Sequence, residues 1–177
     1  MMIETVLVAT DGSEHASKAL DLASDVAARY GARMVLLHVL LRDATVANVR
    51  ELIDFSELSE ELQVEIERLE AIPFETASVS GAYVDVPVTL TREILAAVGR
   101  RITEAARKTA ADKGVERIST VMTAGDPAKR ILETATAEQA DMIVMGSRGL
   151  GDLRGLLLGS VSHKVSHLSA CTCVTVK

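Results

Sequence analysis

The residues best suited to chemistry lie near the end of the chain. They read Gly146-Ser147-Arg148-Gly149-Leu150-Gly151-Asp152-Leu153-Arg154-Gly155-Leu156-Leu157-Leu158-Gly159-Ser160. Five glycines in these fifteen residues let a backbone approach a ligand closely and take positive φ. The N–H groups of Gly159, Ser160 and Val161 open a predicted helix. A helix N-terminus favours an anion through its dipole and its unpaired donors. The hydroxyls of Ser160 and Ser162 add two more donors. Such a loop suits phosphate; the plainer reading is a flexible strand-to-helix connection. A second candidate is Thr10-Asp11-Gly12-Ser13, an acid in a turn behind an apolar strand. By itself an aspartate there is a turn or capping residue.

Other glycine motifs do not fit. A P-loop ends in Gly-Lys-Ser/Thr, and here Gly159 runs directly into Ser160. A dinucleotide fingerprint begun at Gly149 needs Gly or Ala at position 154, which is Arg154. His163 and His167 have the i, i+4 spacing of two metal ligands, but a zinc-protease motif needs Glu where Lys164 stands. They read as solvated or capping residues, and His38, at the end of a strand, as structural. Cys171 and Cys173 share one face of a strand in poor geometry for a bridge, and read as buried small apolar residues. No nucleophile, base and orienting group come together in the sequence.

Strands and helices alternate around these loops. Thr5–Thr10 is a β-branched apolar run. Ser13 is placed to cap a helix with Ala16, Ala19, Leu20, Ala23, Val26, Ala27 and Tyr30 at helical spacing, closed by Gly31. Arg33–Val39 is a second strand. Ile94–Lys113 predicts a helix and Glu116–Met122 a third strand. Asp126-Pro127 starts a helix running to about Gln139. Asp141–Met145 is a fourth strand, Gly159-Ser160 opens the last helix, and Cys171–Val176 is a fifth strand. This alternation predicts a parallel sheet, with ligands bound beyond the carboxyl ends of its strands. Both candidate loops lie at such ends.

The chain of 177 residues suits one domain, 1–177. Nineteen basic against twenty-five acidic residues, net −6, argue against a nucleic-acid binder. From Gly146 onward, however, Arg148, Arg154, Lys164 and Lys177 face only Asp152. No apolar run reaches the roughly 18–20 residues that span a bilayer, and the N-terminus lacks a signal-peptide pattern. A cytoplasmic protein without membrane contact is expected.

The spacing Gly146-x2-Gly149-x9-Gly159-Ser160 resembles the ATP-binding signature of the universal stress protein family, in its UspA-like, ATP-binding subgroup. Val8-Ala9-Thr10-Asp11-Gly12-Ser13 resembles the family's first strand and turn, and His38-Val39 the end of its second strand. Gly125-Asp126-Pro127 resembles the turn after its third. Met142–Gly146 and Leu158–Ser162 resemble its fourth strand and final helix start. The resemblance covers residues 1–40 and 95–177. It implies an α/β fold like that of the adenine nucleotide alpha hydrolases: a five-stranded parallel sheet in the order 3-2-1-4-5, helices on both faces, and an insertion after the second strand. It implies a nucleotide site with Thr10 and Asp11 in the first turn, Asp11 on the ribose or a metal-linked phosphate. Val39 would meet the adenine. Met145, Gly146, Arg148 and Gly149 begin the phosphate segment, and Gly159, Ser160, Val161 and Ser162 end it.

The implied ligand is ATP, or AMP or ADP, with Mg²⁺ or Mn²⁺ accompanying the triphosphate. The function expected is that of a nucleotide-binding stress-response protein, regulatory rather than strongly catalytic. The alternatives are a nucleotide-free protein-interaction module of the same fold and a slow ATPase. An adenylating or pyrophosphatase enzyme would carry Ser-Gly-Gly-x-Asp-Ser or His-x-Gly-His near the first strand, which Asp11-Gly12-Ser13 does not match. Family members commonly dimerise through the last strand, and Val174 and Val176 alternate there with Thr, so a homodimer is expected, besides an unidentified protein partner.

The sequence departs from the family in two places. Cys171-Thr172 replaces a common Cys-Pro. Residues 41–90 form a long insertion, expected to be a mobile cover for the adenine end or a partner-binding element. Val46–Ile53 and Leu58–Leu69 look helical there. Phe74–Thr89 suggests a hairpin about Ser80-Gly81. The stretch 51–70 carries eight acids against Arg68, with Leu58, Leu62, Ile66 and Leu69 at helical spacing.

Overall fold

Strand β1 (Thr5–Ala9) is apolar on both sides of its pleat. Val6 and Val8 enter one core cluster and Leu7 the other, as side chains alternate along an extended strand. Strand β2 (Arg33–Val39) does the same with Met34 and Leu36 against Val35 and Leu37. Burial on both faces is what a parallel sheet between two helix layers demands. The structure, a computed structural model, describes residues 2–40, 49–50, 52–54, 56, 58–71, 76–79, 82–85, 90–150 and 158–177.

The chain divides into two compact units. The first, 1–40 with 99–177, holds the sheet. Its strands, besides β1 and β2, are β5 (Ile118–Thr123), β6 (Met142–Gly146) and β7 (Thr172–Val176). All pair parallel, in the spatial order β5-β2-β1-β6-β7. Counted among themselves these five strands stand as 3-2-1-4-5, the expected order. Helix α1 (Glu14–Tyr30) and the later part of α3 (Arg92–Asp112) cover one face through Ala19, Leu20, Ala23, Ala27, Ala106 and Ala110. Helices α4 (Pro127–Ala137) and α5 (Ser160–Leu168) cover the other through Ala128, Ile131, Ala135 and Val165. Alanine on the helices lets both layers sit close to the branched residues of the strands.

Local signals set the helix ends. Ser13 Oγ accepts the Ala16 N–H at 3.3 Å, and Gly31 closes α1 in the left-handed region at φ 62. Asp126 Oδ1 accepts the Lys129 N–H at 2.8 Å ahead of Pro127. Two details differ from expectation. Tyr30 is 59% exposed, its phenol staying wet at the helix end. Cys171 and Cys173 are free and only half-buried, because β7 is the last strand of the sheet and has a neighbour on one side alone.

The second unit, 41–98, contains α2 (Glu60–Glu70) and the antiparallel pair β3 (Thr76–Val79) and β4 (Ala82–Asp85). The hairpin is therefore present; its turn, Ser80-Gly81, lies outside the described residues, as do 41–48 of the insertion. In the acidic segment Leu58 and Ile66 are buried and Leu62 and Leu69 half-buried, while Val64 is 45% exposed, so the apolar stripe faces inward in part, as its spacing implies. Among the described residues no helix is long and apolar enough to cross a membrane.

The Asp126 cap gives a simple check. Asp126→Ala removes a side-chain acceptor from the first turn of α4, and urea unfolding should show a loss of about 1 kcal/mol.

Candidate functional site

Strands β1 and β6 are neighbours, with Ala9 opposite Met145. From β1 the chain crosses to β2 on one side, and β6 and β7 lie on the other. The connections diverge there, which opens a crevice at the carboxyl ends. Thr10-Asp11 and Gly146–Gly149 leave these two ends side by side.

Asp11 ties the two loops together. Its Oδ1 accepts the Ser13 N–H at 3.0 Å and its Oδ2 the Leu150 N–H at 3.2 Å. A Cβ on Gly149 would stand 2.5 Å from Asp11 Oδ2, so only glycine lets the carboxylate reach the loop. Gly146 is as constrained: a Cβ there would meet Ala16 N, His15 C and Arg148 O, each at 2.9 Å.

Between those glycines sits Ser147, fully buried. It donates its N–H to Val176 O at 2.6 Å, and its carbonyl accepts the Gly159 N–H at 2.7 Å. The Ser162 hydroxyl donates to the same carbonyl at 2.6 Å, with Gly159 O at 3.0 Å. The loop thus returns to its own beginning, and Gly159 becomes the N-cap of α5. The first N–H groups of a helix have no partner in its ladder, so those of Ser160 and Val161 are the donors an anion would find. Ser160 is exposed. Ser162 is not, and its hydroxyl is directed inward. Residues 151–157, with Asp152 and Arg154, lie outside the described residues.

Arg148 points to α1. Its Nη2 lies 3.3 Å from His15 Nε2, and His15 Nδ1 lies 3.1 Å from Ser147 Oγ. Neither His15 nor Ser147 stood out in the sequence. For Ser147 there was a signal, a short polar residue at the exit of a buried strand, where side chains take over main-chain bonding. For His15 there was none, because its partners exist only once the loop folds back.

At the far side of β1, Thr10 N–H donates to Leu37 O at 2.9 Å, and buried His38 donates from Nδ1 to Thr10 O at 2.9 Å. Among the described residues its Nε2 has no hydrogen-bond partner. Gly99 of α3 lies against the ring, where a Cβ would come within 2.8 Å of Cδ2. Burial pushes the His38 imidazole below its usual range, with the Thr10 bond and the Asp11 charge pulling weakly the other way. Val39, half-buried, packs against the opposite cluster, of which Met145 is a member.

Among the described residues no three His, Cys, Asp or Glu side chains gather to hold a metal. Asp11 belongs to no such group among the described residues, so a divalent ion beside it would draw ligands from phosphate and water as well.

Fold and loop together define a doubly wound α/β protein with a glycine-rich segment at its switch point. A model of the universal stress protein family matches residues 2–177, and the chain belongs to that family. The universal stress protein YxiE of Bacillus subtilis is 36% identical over 179 residues, covering 99% of this chain and all of that one. A universal stress protein solved in complex with cAMP is 22% identical with a TM-score of 0.60, covering 99% of this chain and 98% of that one. One from Archaeoglobus fulgidus, solved in complex with dAMP, is 16% identical with a TM-score of 0.59 and full coverage of both chains.

His38 makes stability depend on pH. The unfolded imidazole titrates near its ordinary value of about 6.5 and the folded one lower, so its contribution is full above about pH 6.5 and is lost as pH falls toward the folded value. Urea unfolding between pH 7.5 and 5.5 should lose stability at no more than about 1.4 kcal/mol per pH unit from this group, and His38→Gln should flatten that slope.

Proposed function

We propose that this protein binds an adenine nucleotide, ATP first, and acts through binding rather than turnover. The observation that carries the reading is the Ser147 O to Gly159 N–H bond at 2.7 Å. It sets the N-terminus of α5 against the ends of β1 and β6, so main-chain donors and the helix dipole converge where a phosphate chain would lie. Two family members of the same fold were solved with adenine nucleotides, which supports the base. Val39 and Met145 would offer it apolar contact, and Asp11 would face the ribose or a phosphate-bound Mg²⁺ or Mn²⁺. In calorimetry with ATP and Mg²⁺, binding should be seen, and Gly159→Val should abolish it by blocking the approach to α5. Unchanged affinity in that variant would remove the loop from the reading.

The described site holds no free general base: His38 is buried on Thr10, and Asp11 is occupied by two N–H groups. ATP hydrolysis should therefore run far below the ~10 s⁻¹ median of enzymes. Steady turnover near that rate in contaminant-free protein would favour an enzyme instead.

We also propose a homodimer through β7. Its free edge carries Val174 and Val176 between threonines, and an exposed strand invites pairing. Light scattering should give a dimer at micromolar concentration, and Val174→Pro, which removes a ladder donor, should yield monomer.

A further inference from the structure

Three features meet at one imidazole. The first is a bond. Buried His38 donates from Nδ1 to the Thr10 carbonyl at 2.9 Å. A carbonyl can only accept, so Nδ1 carries a proton whatever the charge of the ring. Thr10 precedes Asp11, whose carboxylate holds Ser13 in the turn and Leu150 in the loop. The second is a close approach. The ring lies on the bare backbone of Gly99, where a Cβ would stand 2.8 Å from Cδ2, 3.2 Å from Nε2 and 3.4 Å from Leu40 Cδ2. Glycine inside a helix is less favourable than alanine, and here the ring requires it. The third is the course of the chain. Leu40 is the last residue before the second unit and Gly99 the first after it. The ring therefore lies where the chain leaves the sheet-bearing unit and where it returns.

Helix α3 makes the return. It runs unbroken from Arg92 to Asp112, with 92–98 in the second unit and 99–112 in the first. The Thr103 hydroxyl fixes the turn at Gly99, donating to its carbonyl at 2.8 Å. The same hydroxyl lies 3.9 Å from Met122 Sδ, and Met122 is paired with His38 across β5 and β2. A close-packed interior passes a displacement on rather than absorbing it.

We propose that His38 is a positioning residue that links the nucleotide site to the second unit: α3, bare at Gly99, sets the ring, and the ring sets the Thr10 carbonyl and the Asp11 turn beyond it. This rests on the nucleotide reading above and deepens it by naming a route for its regulation. Linkage is reciprocal. Nucleotide held at Asp11 steadies residues 41–98, and whatever steadies 41–98 tightens the nucleotide. The Thr10 N–H is held separately, by Leu37 O at 2.9 Å, so β1 stays in the sheet without the ring and the turn after it loosens.

The test is calorimetry of the full chain with ATP and Mg²⁺, joined to hydrogen exchange with and without saturating ATP. His38→Ala removes the donor. Gly99→Ala pushes on the ring, although it favours the helix itself. Each should weaken ATP binding by roughly five- to tenfold, the worth of about one hydrogen bond, and speed exchange of the Ser13 and Leu150 amides. His38→Ala combined with Gly99→Ala should bind no more weakly than His38→Ala alone, since changes that act through one contact are not additive. His38→Asn, with an amide N–H in the place of Nδ1, should stay within about threefold of the wild type. Thermal melts confirm that each variant folds. In the wild type, ATP should slow exchange in 58–70 and 92–98, and in His38→Ala that slowing should be lost. Should His38→Ala not fold, the wild-type exchange and Gly99→Ala decide the matter without it. Additive losses in the double variant, unchanged affinity in Gly99→Ala, or exchange in 58–70 and 92–98 indifferent to ATP in the wild type overturns the link and leaves the nucleotide reading standing. Failure of the wild-type chain to bind ATP overturns both.

Discussion

A buried serine has three polar groups, and each must find a partner or cost more than one hydrogen bond returns. Ser147 meets that demand with three different elements: its N–H with β7, its carbonyl with the start of α5, its hydroxyl with His15 of α1. Helices α1 and α5 lie on opposite faces of the sheet. The one residue at the exit of β6 therefore fixes where both helix layers begin relative to the strand ends. The glycines around it follow from this. Gly146 must be bare because α1 comes down on it, and Gly149 because Asp11 reaches under the loop.

The sites at the two ends of this knot are coupled through the same strand ends. Thr10 is held by Leu37 from β2 and by His38, and the turn it begins delivers Asp11 to the loop after β6. His38 donates from a closely packed place, where burial lowers its proton affinity and where a Cβ on Gly99 of α3 would come within 2.8 Å of its ring. The bare helix position at Gly99 is thus linked to the turn that carries Asp11 through one imidazole and one carbonyl. The coupling is packing and hydrogen bonding in series, with no long-range field required.

Much of this was legible in the sequence, and the parts that were not have physical reasons. The parallel sheet, the caps at Ser13, Gly31 and Asp126 and the hairpin at 76–85 follow from alternation, short polar caps and turn residues, which are local properties, whereas the strand order came from the family resemblance. The glycine spacing identified the loop because glycine is the one residue whose absence of a side chain is itself the requirement. Long-range polar partnerships were not legible. Ser162 read as a phosphate donor because a serine in the first turn of a helix commonly faces outward; it turns inward because the carbonyl of Ser147, fifteen residues earlier, arrives above it. Arg148 read as a phosphate contact from charge and place, while its partner, His15, is 133 residues away in the chain. Burial of Cys171 and Cys173 was overestimated because composition cannot tell a central strand from an outer one.

The commitments of these side chains bear on what such a site does with a nucleotide. A general base must be free to accept a proton at the moment of reaction and to lie within hydrogen-bond reach of it. The acceptors described here are already engaged in holding the scaffold: Asp11 by two main-chain N–H groups, the Ser147 carbonyl by two donors, His15 by a guanidinium. Freeing Asp11 for proton transfer would loosen the turn and the loop that it holds together. By contrast, main-chain N–H groups at a helix start need no rearrangement to receive a phosphate. Main-chain donors ready to receive a phosphate, beside side-chain acceptors committed to the scaffold, are the physical ground on which binding rather than turnover is proposed for this site.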